Sequence, residues 1–152
     1  MKITELLKKE FIVPRLEAKT KRGVLEELSR KVIESQDLDL DEMVGNLLAR
    51  ERLGSTGIGD GVAIPHAKLP GLEKMILSVG RSPAGVPFEA MDGRPVHLFF
   101  ILFAPENSTS AHLKTLAGIS RMLKDSRIRE NLIIADSAET IFHEIEMNDD
   151  SV

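Results

Sequence analysis

The chain has 152 residues, 42% of them apolar, and a formal net charge of −4, which suits one globular domain and provides no basic face for nucleic acid. It contains no cysteine, which excludes disulfides, thiol catalysis and cysteine-bound zinc. The N-terminus has no long apolar segment of the signal-peptide type, and the longest apolar run, residues 96–104, is too short to span a bilayer. We therefore expect a cytoplasmic protein without membrane insertion. We also expect a single domain over residues 1–152, with its core at about residues 3–146 and a frayed tail over residues 147–152.

Two amphipathic helices are predicted in the first third of the chain. Apolar residues recur at helical spacing from Thr20 to Gln36, and Thr20 is a suitable N-cap. The same spacing predicts a second helix from Asp39 to Arg52. Residues 54–61 then contain four glycines among eight residues, which disfavours both a helix and a strand. This glycine-rich segment is predicted to be a loop.

The middle of the chain has the pattern of β-strands, and the last third returns to helices. Residues 62–66 predict a short strand that ends near Pro65, and residues 75–81 predict another, followed by turns with a short extended piece over residues 83–93. The run 96–104 is apolar on both faces, so it is predicted to lie at the centre of a covered sheet. Helices are expected over residues 111–123, 128–133 and 138–146. This order of elements predicts an α/β domain with a mixed sheet.

His66 is the candidate for nucleophilic chemistry because it follows the glycine-rich segment and a proline. Phosphoryl transfer depends mainly on positioning and on donors directed at the phosphoryl oxygens. Glycines let backbone N–H groups approach such oxygens closely, and imidazole is largely neutral and nucleophilic near pH 7. His66 therefore has the properties of a reversible phosphoryl acceptor. The alternative is a structural histidine that closes a strand.

Further side chains are predicted to support a phosphoryl group on His66. His112 lies in the first turn of a predicted helix, where free N–H groups and a partial positive charge favour an anion. Arg50 directly precedes the glycine-rich segment and offers a positive charge. Thr56 offers a hydroxyl donor, and the backbone of Gly57, Ile58 and Gly59 offers a phosphate cradle. The alternatives are a solvent-facing His112 and an Arg50 that pairs with a glutamate at helical spacing.

Two other kinds of site are disfavoured. Residues 57–61 follow a helix and precede a strand, the reverse of the order in a dinucleotide-binding fingerprint. His66 and His112 form only a two-ligand set for a metal, without a placed third ligand. We therefore expect no cofactor and no metal, and His97 carries no assigned role.

The residues around His66 resemble a known signature. Glu51, the pair Ile58-Gly59 and the run Val62-Ala63-Ile64-Pro65-His66-Ala67 resemble the active-site signature of the fructose/mannitol-type IIA domains of the bacterial phosphotransferase system (PTS EIIA type-2). Residues 48–59 resemble the nitrogen-regulatory, PtsN-like (IIA-Ntr) branch, and residues 112–117 resemble the second-histidine segment of the family. The resemblance extends from about residue 3 to residue 145. It implies a mixed sheet of about five strands, flanked by helices on both faces.

The resemblance also implies a function. The His66 position is expected to accept a phosphoryl group through Nε2 from a phosphorylated HPr/NPr-type carrier, with the His112 and Arg50 positions lining the site. Sugar-transport members pass the group to a cysteine of a IIB partner, whereas the regulatory branch binds other proteins according to its phosphorylation state. The chain carries no attached IIB or membrane segment, which favours the regulatory branch. A separately encoded fructose- or mannitol-specific IIA component and a purely regulatory binding module remain alternatives, and the downstream target stays open.

Overall fold

The structure, a computed structural model, describes residues 2–149. After a short 3₁₀ turn at Ile3–Glu5, these residues form six β-strands and five α-helices. The strands are β1 (Leu7–Val13), β2 (Gly57–Gly59), β3 (Val62–Ala63), β4 (His66–Leu69), β5 (Ile76–Val86) and β6 (Val96–Pro105). The helices are α1 (Lys21–Ile33), α2 (Leu40–Glu51), α3 (Thr109–Met122), α4 (Ser126–Ile134) and α5 (Ala138–Met147).

The six strands form one mixed sheet in the order β1-β5-β6-β3-β2, with β4 also paired to β6. β5 and β6 are antiparallel, and β3 and β4 both run parallel to β6. The register of Val62 against Leu98 continues unchanged in that of His66 against Leu102. β3 and β4 are therefore one strand interrupted at residues 64–65, and the six strands occupy five positions across the sheet. The predicted α/β fold with a mixed sheet is confirmed.

Helices cover both faces of this sheet. Gly80 and Arg81 are neighbours on β5, so their Cβ positions lie on opposite faces of the sheet. A Cβ on Gly80 would lie 3.0 Å from the Leu28 side chain of α1, whereas the Arg81 guanidinium donates to the Ile133 carbonyl of α4 at 2.6 Å. β6 lies between the two layers, and its residues 98–104 are all 1% exposed or less. β6 thus has the central position that its apolar residues on both faces predicted.

The two predicted N-terminal helices begin where their capping residues indicate. The Thr20 hydroxyl accepts a hydrogen bond from the Gly23 amide at 3.0 Å, and the Asp39 carboxylate accepts one from the Asp41 amide at 2.9 Å. Each cap satisfies an amide that the first turn of a helix leaves without a partner. The bounds of α1 and α2 therefore lie within the predicted ranges.

The strands differ from the predictions in four places. β1 was not predicted, because its exposed residues 8–10 and an irregular register against β5 hide the alternation of a strand. β5 continues to Val86, into the segment predicted as turns. Gly57–Gly59 form the short edge strand β2, so the prediction of a loop is wrong there. His66 begins β4 instead of closing a strand.

The C-terminal end of the described chain is ordered. Met147 belongs to α5, and the Asp149 carboxylate accepts hydrogen bonds from the amides of Ile3 at 2.7 Å and Thr4 at 2.8 Å. The prediction of a frayed tail is therefore wrong for residues 147–149, because a buried carboxylate holds them to the N-terminal turn. Residues 150–152 lie outside the described part. Within residues 2–149, the helices are too short or too polar to cross a membrane.

Candidate active site

The interruption between β3 and β4 sets the orientation of His66. The imidazole Nδ1 lies 2.9 Å from the Ile64 carbonyl oxygen, two residues earlier in the chain. A carbonyl oxygen only accepts hydrogen bonds, so Nδ1 carries the ring proton in the neutral imidazole. The lone pair is then on Nε2. The half-buried ring is therefore held as the tautomer that can form a bond through Nε2.

The surroundings of His66 favour its neutral form. Partial burial is the largest cause, because it disfavours the charged imidazolium and lowers the pKa of His66 below its usual value. The Arg50 guanidinium lowers this pKa further by charge repulsion, while the Ile64 hydrogen bond and the Glu51 carboxylate act in the opposite direction. At neutral pH the ring is consequently an uncharged nucleophile.

His112 faces His66 from the first turn of α3. The two ring centroids are 5.4 Å apart and the ring planes are nearly perpendicular, at 79°. Burial, followed by charge repulsion from the protonated form of His66 and from Lys68, lowers the pKa of His112 to about 4. Its Nε2 is buried without a hydrogen-bond partner among the described residues. A buried polar atom without a partner is uncommon in a folded protein and marks a place where a ligand can complete the hydrogen bonding.

A cleft brings the two histidines together with Arg50. Its volume is about 330 Å³, and it is lined by Asn46, Arg50, His66, Ala67, Lys68, Thr109, His112, Leu113 and Leu116. Arg50 lies in the last turn of α2, and its Nη1 donates to the Gly54 carbonyl at 2.9 Å. In the described part of the chain its hydrogen-bond partner is thus a backbone carbonyl rather than the glutamate of the alternative interpretation. Three predicted site residues therefore share one cleft.

The other predicted phosphate-binding residues do not line this cleft. The buried Thr56 hydroxyl and amide both donate to the Glu51 carboxylate, the amide at 3.2 Å. Lys21 lies 3.3 Å from the same carboxylate, which is nearly inaccessible to solvent. Glu51 is thus a structural acceptor that joins the end of α2 to the start of β2. The Thr56 hydroxyl is not available as a phosphate donor in this arrangement.

Gly57, Ile58 and Gly59 serve the sheet instead of forming a phosphate cradle. They form β2 and pair with β3. A Cβ on Gly57 would lie only 2.8 Å from the Cβ of Ala90, so a close approach to the segment before β6 requires a glycine. Ile58 is exposed. Of the glycines that suggested an anion nest in the sequence, Gly57 is explained by backbone packing, and Gly54, Gly59 and Gly61 have the positive φ that favours glycine.

The remaining candidate groups lie apart from the cleft lining. His97 on β6 has its Nδ1 2.9 Å from the Ser82 carbonyl oxygen, and it packs against Gly85. Within residues 2–149, histidine, aspartate and glutamate side chains do not converge in groups of three or more that could hold a metal ion. The chemistry of the cleft therefore depends on its two histidines and its cationic side chains.

Comparison with known proteins identifies the family of this chain. Residues 5–148 match the family described as "Phosphoenolpyruvate-dependent sugar phosphotransferase system, EIIA 2". The chain is 43% identical over 142 residues to the nitrogen regulatory protein of Bradyrhizobium diazoefficiens, covering 93% of each. It is 39% identical over 150 residues to the fructose-specific EIIABC component of Bacillus subtilis, covering 98% of the chain but 24% of that larger protein. It superimposes on the nitrogen regulatory protein IIA-Ntr of Neisseria meningitidis with a TM-score of 0.88 and 37% identity, covering 94% of the chain and 98% of that structure.

The chain belongs to this family. The resemblance of the His66 signature to fructose/mannitol-type IIA domains, closest to the nitrogen-regulatory branch, is confirmed. The prediction of a IIA function in a phosphotransferase system is confirmed with it, since the match spans nearly the whole chain.

Sequence reasoning missed three polar residues in the cleft of this IIA protein, Lys68, Asn46 and Thr109. Lys68 lies two residues after His66 on β4, and alternate residues of a strand share a face. The Asn46 side chain donates to the Lys68 carbonyl at 3.1 Å and so joins α2 to β4. The two-residue spacing between His66 and Lys68 in the sequence could have indicated that Lys68 shares the face of His66. The position of Asn46 depends on how α2 packs against the sheet, which the sequence pattern does not contain.

Proposed function

We propose that this IIA protein is a cytoplasmic phosphocarrier that accepts a phosphoryl group on Nε2 of His66 from a phosphorylated HPr/NPr-type carrier. Its regulatory role in a nitrogen-type phosphotransferase system follows from the phosphorylation state of that histidine. The observation that supports this proposal best is the hydrogen bond between Nδ1 of His66 and the Ile64 carbonyl. It leaves Nε2 as the free nucleophile, and no cofactor is needed.

The transfer is an exchange between two imidazoles. The Nε2 lone pair of His66 forms a bond to phosphorus as the N–P bond of the donor phosphohistidine breaks, and the electron pair of that bond returns to the donor ring. His66 keeps its proton on Nδ1, which continues to donate a hydrogen bond to the Ile64 carbonyl. Because one N–P bond is broken and another N–P bond is formed, the free-energy change of the transfer is small and the transfer is reversible.

Arg50 and His112 are proposed to stabilise the phosphoryl group. A guanidinium and an imidazole N–H are donors that suit phosphoryl oxygens, and both side chains line the cleft with His66. His112 is neutral at pH 7 because its pKa is lowered to about 4, so it acts as a single N–H donor and not as a cation. Positioned charge and hydrogen bonding are the main contributions that a protein makes to phosphoryl transfer.

Exposed apolar side chains offer a docking rim for the carrier. Leu53 is 83% exposed and Leu113 61% exposed, and Ile58 is also exposed. Leu113 lies directly at the cleft. Large apolar side chains exposed beside a reactive group are typical of a surface that a protein partner covers.

The alternative functions differ in what happens after phosphorylation. The similarity to a fructose-specific EIIABC component supports a sugar-specific IIA that passes the group to a IIB cysteine. A purely regulatory binding module would use the added charge only to recruit or repel a partner. The 43% identity to the nitrogen regulatory protein of Bradyrhizobium diazoefficiens, compared with 39% to the fructose-specific component, supports the regulatory role.

The test is intact-mass measurement after incubation with phosphoenolpyruvate, enzyme I and an HPr-type carrier. We expect the parent protein to gain one acid-labile phosphoryl group, His66→Ala to gain none, and His143→Ala, which alters an exposed histidine of α5, to behave as the parent. Phosphorylation of His66→Ala, or none of the parent with either a sugar-type or a nitrogen-type carrier, would contradict the proposal. Subsequent transfer of the phosphoryl group to the cysteine of an added IIB domain would favour the sugar-specific alternative.

A further inference from the structure

Lys68 occupies an unusual electrostatic position. It is exposed on β4, on the same face as His66, while Ala67 and Leu69 point into the core. Its ammonium Nζ donates to the Thr109 hydroxyl at 2.8 Å. Thr109 is the first residue of α3. The hydrogen bond therefore holds a positive charge at the N-terminus of a helix, where the helix dipole favours an anion instead.

The Lys68 ammonium has no ion-pair partner within 4.0 Å in the described part of the chain. The N-terminus of α3 also lacks a side-chain cap, because the Ser108 hydroxyl donates backwards to the Pro105 carbonyl at 2.7 Å. One turn into the same helix, His112 is 6% exposed, and its Nε2 finds no hydrogen-bond partner among residues 2–149. An anion in the cleft would relieve all three of these unfavourable features.

We propose that Lys68 is a phosphoryl-binding residue that donates a charge-assisted hydrogen bond to an oxygen of the phosphoryl group on His66. This inference rests on the proposed phosphocarrier function and adds to it a residue outside the predicted site. An ammonium has three N–H donors, so Lys68 can keep its bond to Thr109 while it donates to the phosphoryl group. Thr109 acts as a positioning residue that holds the long side chain over the cleft.

The role of Lys68 is to stabilise the phosphorylated state after the phosphoryl group has arrived. The transferred group brings about two negative charges into a cleft that already holds the Arg50 guanidinium. Lys68, held at the start of α3, provides a second cation, so the negative charge is neutralised from the α3 side as well as by Arg50 of α2. The affinity of His66 for the phosphoryl group relative to the donor therefore depends on Lys68.

The experiment compares Lys68→Gln with Lys68→Arg and with a matched control, Lys124→Gln. Lys124 is an exposed lysine beyond the C-terminal end of α3, roughly 20 Å from Thr109 at 1.5 Å per helical residue. The first readout is the equilibrium between a phosphorylated HPr-type carrier and each variant, measured by intact mass. We expect Lys68→Gln to lower the equilibrium constant for phosphorylation about tenfold, as for loss of one partly exposed charge-assisted hydrogen bond. Lys68→Arg and Lys124→Gln should stay near the parent value.

The second readout needs no protein donor. Each variant is phosphorylated with phosphoramidate, and the ³¹P resonance of the phosphohistidine is followed against pH, with His66→Ala as the blank. In Lys68→Gln the titration of the phosphoryl group should move to higher pH than in the parent, because the dianion loses a nearby cation. The arginine and control variants should titrate like the parent.

The outcomes separate this inference from the proposed function. A parent protein that is phosphorylated, with Lys68→Gln unchanged in both readouts, would overturn the inference and leave the phosphocarrier function intact. A shifted equilibrium without a shifted ³¹P titration would also overturn it, since Lys68 would then act on the carrier and not on the phosphoryl group. Equal effects of Lys68→Gln and Lys124→Gln would show a general charge effect and overturn it as well. A parent that neither donor phosphorylates would overturn both proposals.

Discussion

At the scale of single residues, adjacent positions on one helix act on His66 in opposite directions. Arg50 and Glu51 end α2, and their charges respectively lower and raise the pKa of His66. Arg50 reaches the cleft, whereas Glu51 is buried against Thr56 and Lys21. Successive residues of a helix point about 100° apart, so one turn can place a cation at the surface and an anion beneath it. The net effect, together with burial, keeps the nucleophile neutral.

Arg50→Gln should raise the pKa of His66, because removal of the guanidinium removes a repulsion that disfavours the imidazolium. Arg52→Gln is the matched control, since Arg52 is the exposed residue that caps α2 and does not line the cleft. The measurement is an NMR titration of the His66 ring in the parent and both variants. The parent inflection should lie below pH 6.5, the ordinary value for histidine. An inflection that stays in place in Arg50→Gln would show that the guanidinium points away from His66 in solution.

At the scale of elements, the absence of a side chain has different consequences at a glycine of β2 and at a glycine of α2. Gly57 on β2 lies against the backbone of Ala90, with 2.9 Å from an added Cβ to the Ala90 Cα. Gly45 lies within α2, where an added Cβ would meet nothing within 4 Å. The first glycine allows two segments to approach closely, whereas the second only leaves a helix residue without a side chain. The short edge strand beside the His66 segment therefore depends on the first.

Two alanine substitutions test this contrast. Gly57→Ala should destabilise the protein by about 1–3 kcal/mol, because the new methyl group meets backbone that cannot move aside easily. Gly45→Ala should stabilise it by about 0.5–1 kcal/mol through the higher helix propensity of alanine. Urea denaturation of both variants and the parent gives the free energies of unfolding. A Gly57→Ala protein as stable as the parent would mean that β2 packs less tightly against residue 90 than the structure shows.

At the scale of the whole molecule, the two ends of the described chain hold each other. The Asp149 carboxylate accepts hydrogen bonds from the Ile3 and Thr4 amides and from the Thr4 hydroxyl, the last at 2.7 Å. These donors begin the 3₁₀ turn Ile3–Glu5, so the carboxylate acts like an N-cap supplied from the far end of the sequence. The contact closes α5 against the turn that leads into β1. Unfolding of either end therefore releases the other.

Asp149→Ala should reduce the free energy of unfolding by about 1–3 kcal/mol, since three donors lose a largely buried acceptor. Glu146→Ala is the control, because Glu146 is an exposed acidic residue at the same end of α5. Urea denaturation measures both, and backbone amide exchange at Ile3 and Thr4 reports the local effect. If the two variants lose the same small amount of stability, the ends are not coupled through Asp149.

The sequence by itself determined the fold class, the main helices and the central strand. Thr20 and Asp39 mark helix starts through local hydrogen bonds, and residues 96–104 are apolar at consecutive positions because both their faces are covered. The family was also readable, and with it the histidine proposed as the phosphoryl acceptor, since the signature of residues 62–67 is contiguous. Local capping, periodicity and a contiguous motif are properties that a linear sequence contains in full.

The tertiary structure alone decided which polar groups meet. Thr56 was predicted at the phosphate but donates to Glu51, and Gly57 lies in β2, where Ala90 packs closely against it. Lys68 is brought to Thr109 across 41 positions of sequence, and Asp149 to Thr4 across 145. Such contacts depend on how distant elements pack, and a glycine or a threonine has the same local pattern whether its neighbour is a phosphoryl oxygen or another segment of the chain. For this reason the sequence alone was enough to propose His66 as the nucleophile, whereas the composition of the cleft around it was determined by the fold.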